Sequence, residues 1–159
     1  VVFLDIPDGQ LEPTLALRRE IVRQIRRTRA YRFVCQSPDR VWTPSYAIGR
    51  FHPDHLAAAT ASLAAVYPAA QNGWDFPELL AEGLPPSRVK ELYVVGAPHL
   101  NHAVDISETF EQKLGALRCH VSQLGEDQTE LAKRLRDWAV ERGEAFGVPM
   151  AETFHKVEN

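Results

Sequence analysis

Apolar positions recur along this chain with two different periods. The run Val1-Val2-Phe3-Leu4 is followed by Pro7-Asp8-Gly9 and reads as a short buried strand over residues 1–6. The Pro-Asp-Gly triplet is a turn signal, because Pro fixes φ and Gly accepts positive φ. Leu17, Ile21 and Ile25 then repeat every fourth residue, the spacing of one helix face, behind Thr14 as an N-cap. Residues 30–36 (AYRFVCQ) are again strand-like. A strand, a helix and a strand in succession predict a βαβ unit and a parallel sheet.

Residues 37–51 form a loop with two prolines, Pro38 and Pro44, which is long for a strand-to-helix connection and so a place where function accumulates. A helix is expected from Pro53-Asp54-His55 to about Tyr67, with Ala59, Leu63 and Val66 facing inward. Pro at the first helical position and an acid in the first turn both favour that start. Residues 68–86 read as irregular apart from a short helix over 77–81, and residues 89–95 and 103–106 as strands. Ser107 is expected to cap a helix presenting Phe110, Leu114, Leu117 and Val121, and a last helix after Gly125 presents Leu131, Leu135 and Trp138. The pattern beyond Gly147 gives no assignment. Neither an internal repeat nor a low-complexity tract interrupts the chain.

Composition narrows the class. The 159 residues suit one domain, and 45% apolar with 25% charged residues is ordinary for a soluble globular protein with a substantial core. A net charge of -3 leaves no global basic footprint for nucleic acid. Arg18, Arg19, Arg23, Arg26, Arg27 and Arg29 cluster on the first helix, where they read as a solvated outer face rather than a phosphate site. No apolar run reaches the ~18 residues of a membrane span. Cys35 and Cys119 offer neither a disulfide framework nor metal-ligand spacing. Cys35, inside an apolar run, reads as a small buried hydrophobe, and the expected setting is reducing and cytoplasmic. The chain opens without Met and inside a strand-like run, from which we expect further sequence upstream.

The sharpest chemical feature is His52-Pro53-Asp54-His55. Two imidazoles three residues apart at a helix start share a face. The positive end of a helix favours the neutral ring that a metal needs. Asp54 can ligate a metal or hold a ring in place. The motif also follows a long loop after a strand, where open α/β sheets place their ligands. On spacing alone three readings stay open: both histidines ligate, one ligates while the other handles protons, or the pair is a surface capping arrangement. A catalytic zinc takes three protein ligands and a water, so the motif by itself is an incomplete site. His99 and His102 lie in a loop and read as solvated, His120 as packed or capping, and His155 carries no signal. No Gly-x-Ser-x-Gly elbow or glycine-rich phosphate loop is present, so nothing supports serine-hydrolase or nucleotide chemistry.

Several segments taken together carry a resemblance. FLDIPDGQL, IVRQIRR, SPDR, IGRFHPDHLAAA, AVYPAAQN, FPELLAEGL, VKELYVVGAP, NHAVDIS and KLGALRCHVSQ follow one another up to about Ser122-Gln123. Their order and spacing resemble the LmbE / PIG-L family of zinc-dependent N-acetylglucosaminyl de-N-acetylases, and HPDH before an Ala-rich helix is the most specific piece. The resemblance implies a Rossmann-like three-layer α/β sandwich with a mostly parallel sheet, N-terminally truncated, as a single partial domain over residues 1–159. It implies zinc as cofactor with His55 as a ligand, His52 as oxyanion or proton donor, Asp54 as support for that chemistry, and Asp8 and Arg40 at the sugar. The implied reaction hydrolyses a linear amide, giving acetate and a free amino sugar. The implied partner is a small-molecule amino-sugar conjugate, with no nucleic acid and no membrane span; a homo-oligomer is left open. The family's opening Ala-His-Pro-Asp-Asp-x-Glu motif, which supplies two more ligands and a general base, does not occur in this sequence. The chain by itself is therefore expected to have no meaningful deacetylase activity. The rival expectation is a degenerate homologue that keeps the fold and binds a sugar or metal without turnover.

Overall fold

A computed structural model describes residues 1–40, Trp42 and residues 51–159. In chain order the elements are α1 (Leu15–Thr28), β1 (Arg32–Gln36), α2 (Pro53–Ala64) with a π-helical turn (Ala65–Ala69), α3 (Glu78–Ala81), β2 (Glu91–Val95), β3 (His102–Asp105), α4 (Phe110–Arg118), α5 (Val121–Leu124), α6 (Thr129–Phe146) and β4 (Ala151–Glu158). They fall into two compact units, Val1–His99 with His155–Asn159, and Leu100–Phe154.

In the first unit, Thr14 starts α1 as expected, its Oγ1 accepting the Leu17 N–H at 3.2 Å. The helix buries Leu17, Val22, Ile25 and Arg26. Val22 and Ile25 join Ala65, Val66, Leu79, Val89, Leu92 and Val94 in one apolar core. The Arg-rich face is not wholly solvated: Arg26 is 2% exposed and donates to the carbonyls of Ala69, Ala70, Asn72 and Asp75. Its guanidinium organises the irregular stretch after α2, a role that charge periodicity alone does not reveal. The α-helical part of α2 stops at Ala64, before the expected Tyr67. Pro68 accounts for the change, since the residue before a proline is pushed to extended backbone, and Tyr67 has φ -143° and ψ 129°.

β1 and β2 pair in parallel, from Arg32↔Glu91 to Gln36↔Val95, with α2 in the crossover. The βαβ unit is thus built from β1, α2 and β2, and not from residues 1–6 as expected. Those first residues form no strand, and Phe3 is 79% exposed. A strand is held by a ladder partner, and among the described residues none pairs with this segment. β2 also pairs antiparallel with the second half of β4, from Glu91↔Glu158 to Val94↔His155.

In the second unit, β3 pairs antiparallel with the first half of β4, from His102↔Phe154 to Asp105↔Ala151. Ile106, Phe110, Leu114 and Ala139 form its core, with Ala132, Leu135 and Met150 packed on them. Ser107 does not cap α4; its N–H and hydroxyl both bond to Asp105 Oδ1, and Thr109 precedes the helix. Val121 starts a separate turn, α5, and is exposed. The chain turns back sharply after α6: a Cβ on Gly143 would lie 2.4 Å from the Val148 carbonyl oxygen, so only glycine allows this approach.

One pairing among the described residues is parallel and two are antiparallel, so the expected mostly parallel sheet is corrected to a mixed one. The tail beyond Gly147, which hydrophobic patterning leaves unassigned, is β4, and it runs against both of its neighbours. No described helix is long and apolar enough to cross a membrane.

Candidate functional site

The start of α2 organises the site. His52 is its N-cap, and Nδ1 of the ring accepts the Asp54 N–H at 3.3 Å. That bond satisfies one of the donors a helix start leaves open. It also decides the tautomer: with Nδ1 accepting, the neutral ring carries its proton on Nε2, which is then a donor. Pro53 follows at the first helical position, where its missing N–H costs nothing.

Asp54 reaches away from its own helix. Its Oδ2 accepts the Gly9 N–H at 2.7 Å and its Oδ1 accepts the Leu11 N–H at 3.3 Å. The carboxylate therefore fastens the Asp-Gly turn to the helix start, where the positive end of the helix favours its charge. The turn suits the sequence, since Gly9 has φ +81° and the Gln10 N–H closes it on the Pro7 carbonyl. Asp8 is carried to the same place, and Asp8, His52 and Asp54 each offer a donor atom within 4.8 Å of the others.

His55 stands beside this group, its ring centroid 5.5 Å from that of His52 and tilted by 51°. It lines a cleft of about 360 Å³ together with Gln36, Ser37, Asp39, Phe51, Leu56 and the Val95-Gly96 pair. Gln36 and Val95 are the last residues of the parallel strands β1 and β2. The cleft thus lies outside the carboxyl ends of the parallel pair, where ligands bind in open α/β sheets. The wall at Ser37 is pinned: its N–H donates to the Val95 carbonyl at 2.9 Å, its hydroxyl to Asp39 Oδ2, and it accepts the Asp39 N–H.

Of the residues singled out by sequence, His52, Asp54 and Asp8 come together, and His55 adjoins them in the cleft. Arg40 is exposed and belongs to neither group. Val41 and residues 43–50 of the long loop lie outside the described residues. Gln36, Ser37, Asp39 and Gly96 were not singled out, although their positions at strand ends are a usable signal. His99 is no isolated loop residue, since its carbonyl oxygen lies 2.8 Å from Nδ1 of His155.

Zinc takes three protein ligands drawn from His, Cys and carboxylate side chains. Among the described residues one such trio clusters, Asp8, His52 and Asp54. Its donors are largely engaged already, because both Asp54 oxygens and His52 Nδ1 accept backbone N–H groups. His55 is the imidazole that faces the cleft, and Asp39 is the carboxylate that lines it with His55. Among the described residues His55 and Asp39 are the two cleft-lining side chains of a type that binds zinc, one fewer than the three protein ligands such a site takes.

No family model matches the sequence. A diacetylchitobiose deacetylase of Thermococcus kodakarensis is 35% identical over 150 residues, covering 94% of this chain and 53% of that protein. The chain thus spans about half the length of the curated relative it matches. The solved structure of an N,N'-diacetylchitobiose deacetylase from Pyrococcus horikoshii, complexed with its inhibitor, superposes with a TM-score of 0.82 at 25% identity, over 98% of this chain and 56% of that one. A conserved protein from Thermus thermophilus has a TM-score of 0.72 at 24% identity, over 95% of this chain and 62% of its own. A 4-carboxy-2-hydroxymuconate hydratase from Pseudomonas putida has 0.73 at 19%, over 100% of this chain and 65% of its own. These last two share the mixed α/β fold alone, and the hydratase shows that the fold does not by itself fix the chemistry.

Proposed function

Because this chain belongs to the LmbE-like deacetylase family, we propose that in the intact protein its site removes the N-acetyl group from an N-acetylglucosamine-containing substrate, with zinc as cofactor. A small amino-sugar conjugate as partner and a cytoplasmic setting belong to the same proposal. The observation that carries it is the arrangement of the two histidines. His52 is locked by its Nδ1 bond with Nε2 left as a donor, and His55 lies 5.5 Å away at the end of the parallel strands.

In this reading the acetamide lies in the cleft. His52 Nε2–H donates to the carbonyl oxygen as it gains negative charge in the tetrahedral intermediate, where a fixed donor is worth most. The proton that the departing amine takes up comes from the attacking water, since a neutral imidazole donates a hydrogen bond without giving up its Nε2 proton. Asp54 acts through position: its two bonds to the Gly9 and Leu11 N–H groups keep the Asp-Gly turn at the helix start. Asp8, held there, accepts from a sugar hydroxyl, whereas Arg40, which the resemblance alone assigns to the substrate, lies outside both groups of site residues. His55 holds the zinc, which when bound supplies the Lewis acidity that polarises the acetamide carbonyl and a water.

The test is acetate release from N-acetylglucosaminides by the intact protein, with and without a chelator. Release that the chelator stops and zinc restores is expected. Binding of the sugar with no release would favour instead a non-catalytic homologue that keeps the fold.

A further inference from the structure

A second cavity flanks the same Ser37–Asp39 wall. It has about 370 Å³, and its lining is mostly aliphatic, with Leu63, Leu92, Val94, Ala97, Pro98 and Val157 among it. Ser37 and Asp39 line both this groove and the His55 cleft, so the two cavities adjoin at that wall. The wall is held by the Ser37–Val95 backbone bond and by the two bonds between Ser37 and Asp39. The groove is built into the sheet: Leu92 and Val157 are directly opposed in the β2–β4 register, and Ala97-Pro98 continues from β2.

We infer that the substrate is an N-acetylglucosamine conjugate whose second moiety is apolar and occupies this groove while the sugar lies in the His55 cleft. The inference rests on the de-N-acetylase reading of that cleft. The lining decides between an apolar group and a second sugar. Seven of its eleven described lining residues are aliphatic or proline, and no Trp, Tyr or Phe is among them. A sugar there would set most of its hydroxyls against aliphatic side chains that cannot hydrogen-bond, and each hydroxyl stripped of water without a partner costs binding. Four polar residues, Ser37, Asp39, His99 and His155, share the lining; Nδ1 of His155 lies against the His99 carbonyl, and Ser37 and Asp39 are bonded to each other. An aryl ring or short alkyl chain fits the volume and gains by leaving water.

The experiment compares binding of nitrophenyl and methyl glycosides of N-acetylglucosamine, and of N,N'-diacetylchitobiose, to the intact protein. It is repeated on Val157→Asn, a partly exposed strand position outside the His52–His55 machinery. The nitrophenyl glycoside should bind about tenfold or more tighter than the methyl glycoside. Val157→Asn should remove most of that advantage and leave the methyl glycoside unchanged. Equal affinities for the two glycosides, an advantage that survives Val157→Asn, or tighter binding of diacetylchitobiose than of the nitrophenyl glycoside would overturn the inference and leave the de-N-acetylase reading standing. A protein that binds none of the three overturns that reading, and the inference with it.

Discussion

Replacing Asp54 tests how the site is held together. Its carboxylate accepts the N–H groups of Gly9 at 2.7 Å and Leu11 at 3.3 Å, and it sits in the first turn of α2. A hydrogen bond to a charged acceptor contributes about 1.5–3 kcal/mol when well formed. A carboxylate in a helix's first turn adds about 0.3–1 kcal/mol. The Gly9 bond is exposed and the Leu11 bond is long, so both amides can turn to water once the carboxylate is gone. One charged bond at the low end of its range, plus the helix contribution, gives about 2 kcal/mol for Asp54→Ala. Asp54→Asn keeps one acceptor oxygen and should lose about half of that. The assay is urea unfolding, where a lower midpoint at an unchanged slope reports the loss. It is paired with amide exchange, in which Gly9 and Leu11 should speed up while Leu17, bonded to the Thr14 cap, does not. A loss below about 0.5 kcal/mol, or unchanged exchange at Gly9 and Leu11, would refute the tether.

Arg26→Met should cost about 3–5 kcal/mol in urea unfolding, because it strips a buried guanidinium from the Ala69, Ala70, Asn72 and Asp75 carbonyls; a loss under about 1 kcal/mol would mean those carbonyls find other partners. Burial pushes the Cys35 thiol up to about 11, so at about pH 8 it stays protonated and unreactive. Exposed Cys119 should therefore take up iodoacetamide first, as read by mass spectrometry of the two peptides. Lys156, and Arg32 after it, hold the Glu91 carboxyl below its usual range. That depressed value makes the Glu91 contribution present above the ordinary glutamate pKa of about 4.3 and lost as the pH falls through the folded value. Glu91→Gln should consequently lower Tm at about pH 6 and leave it little changed at about pH 3; an equal drop at both would contradict the pairing.

Much of the first unit was legible from periodicity. Thr14 with Leu17 and Ile25 gave α1, Pro53-Asp54 gave the start of α2, and the apolar runs gave β1 and β2, because in each the local signal and the packing agree. Elements whose identity depends on distant partners were not legible. Residues 1–6 have strand composition, yet no described strand lies beside them. β4 is an unremarkable tail until β2 and β3 supply ladders on its two sides. Arg26 belongs to a charged helix face by spacing, and only the irregular turn after α2 makes it a buried clamp. At the site, HPDH could be found from sequence because its residues are neighbours. The bonds from Asp54 to Gly9 and Leu11 span more than forty positions and have no sequence signal.

Metal content separates the two histidines most directly. In the intact protein, His55→Ala should lose bound zinc, because a three-ligand site fails without one ligand. His52→Ala should keep its zinc and lose turnover by about a hundredfold or more, the usual cost of removing an oxyanion donor. Zinc measured per chain on the two variants decides the matter. Loss from His55→Ala alone is the predicted result, and loss from His52→Ala, or retention by His55→Ala, would contradict the division of labour between them.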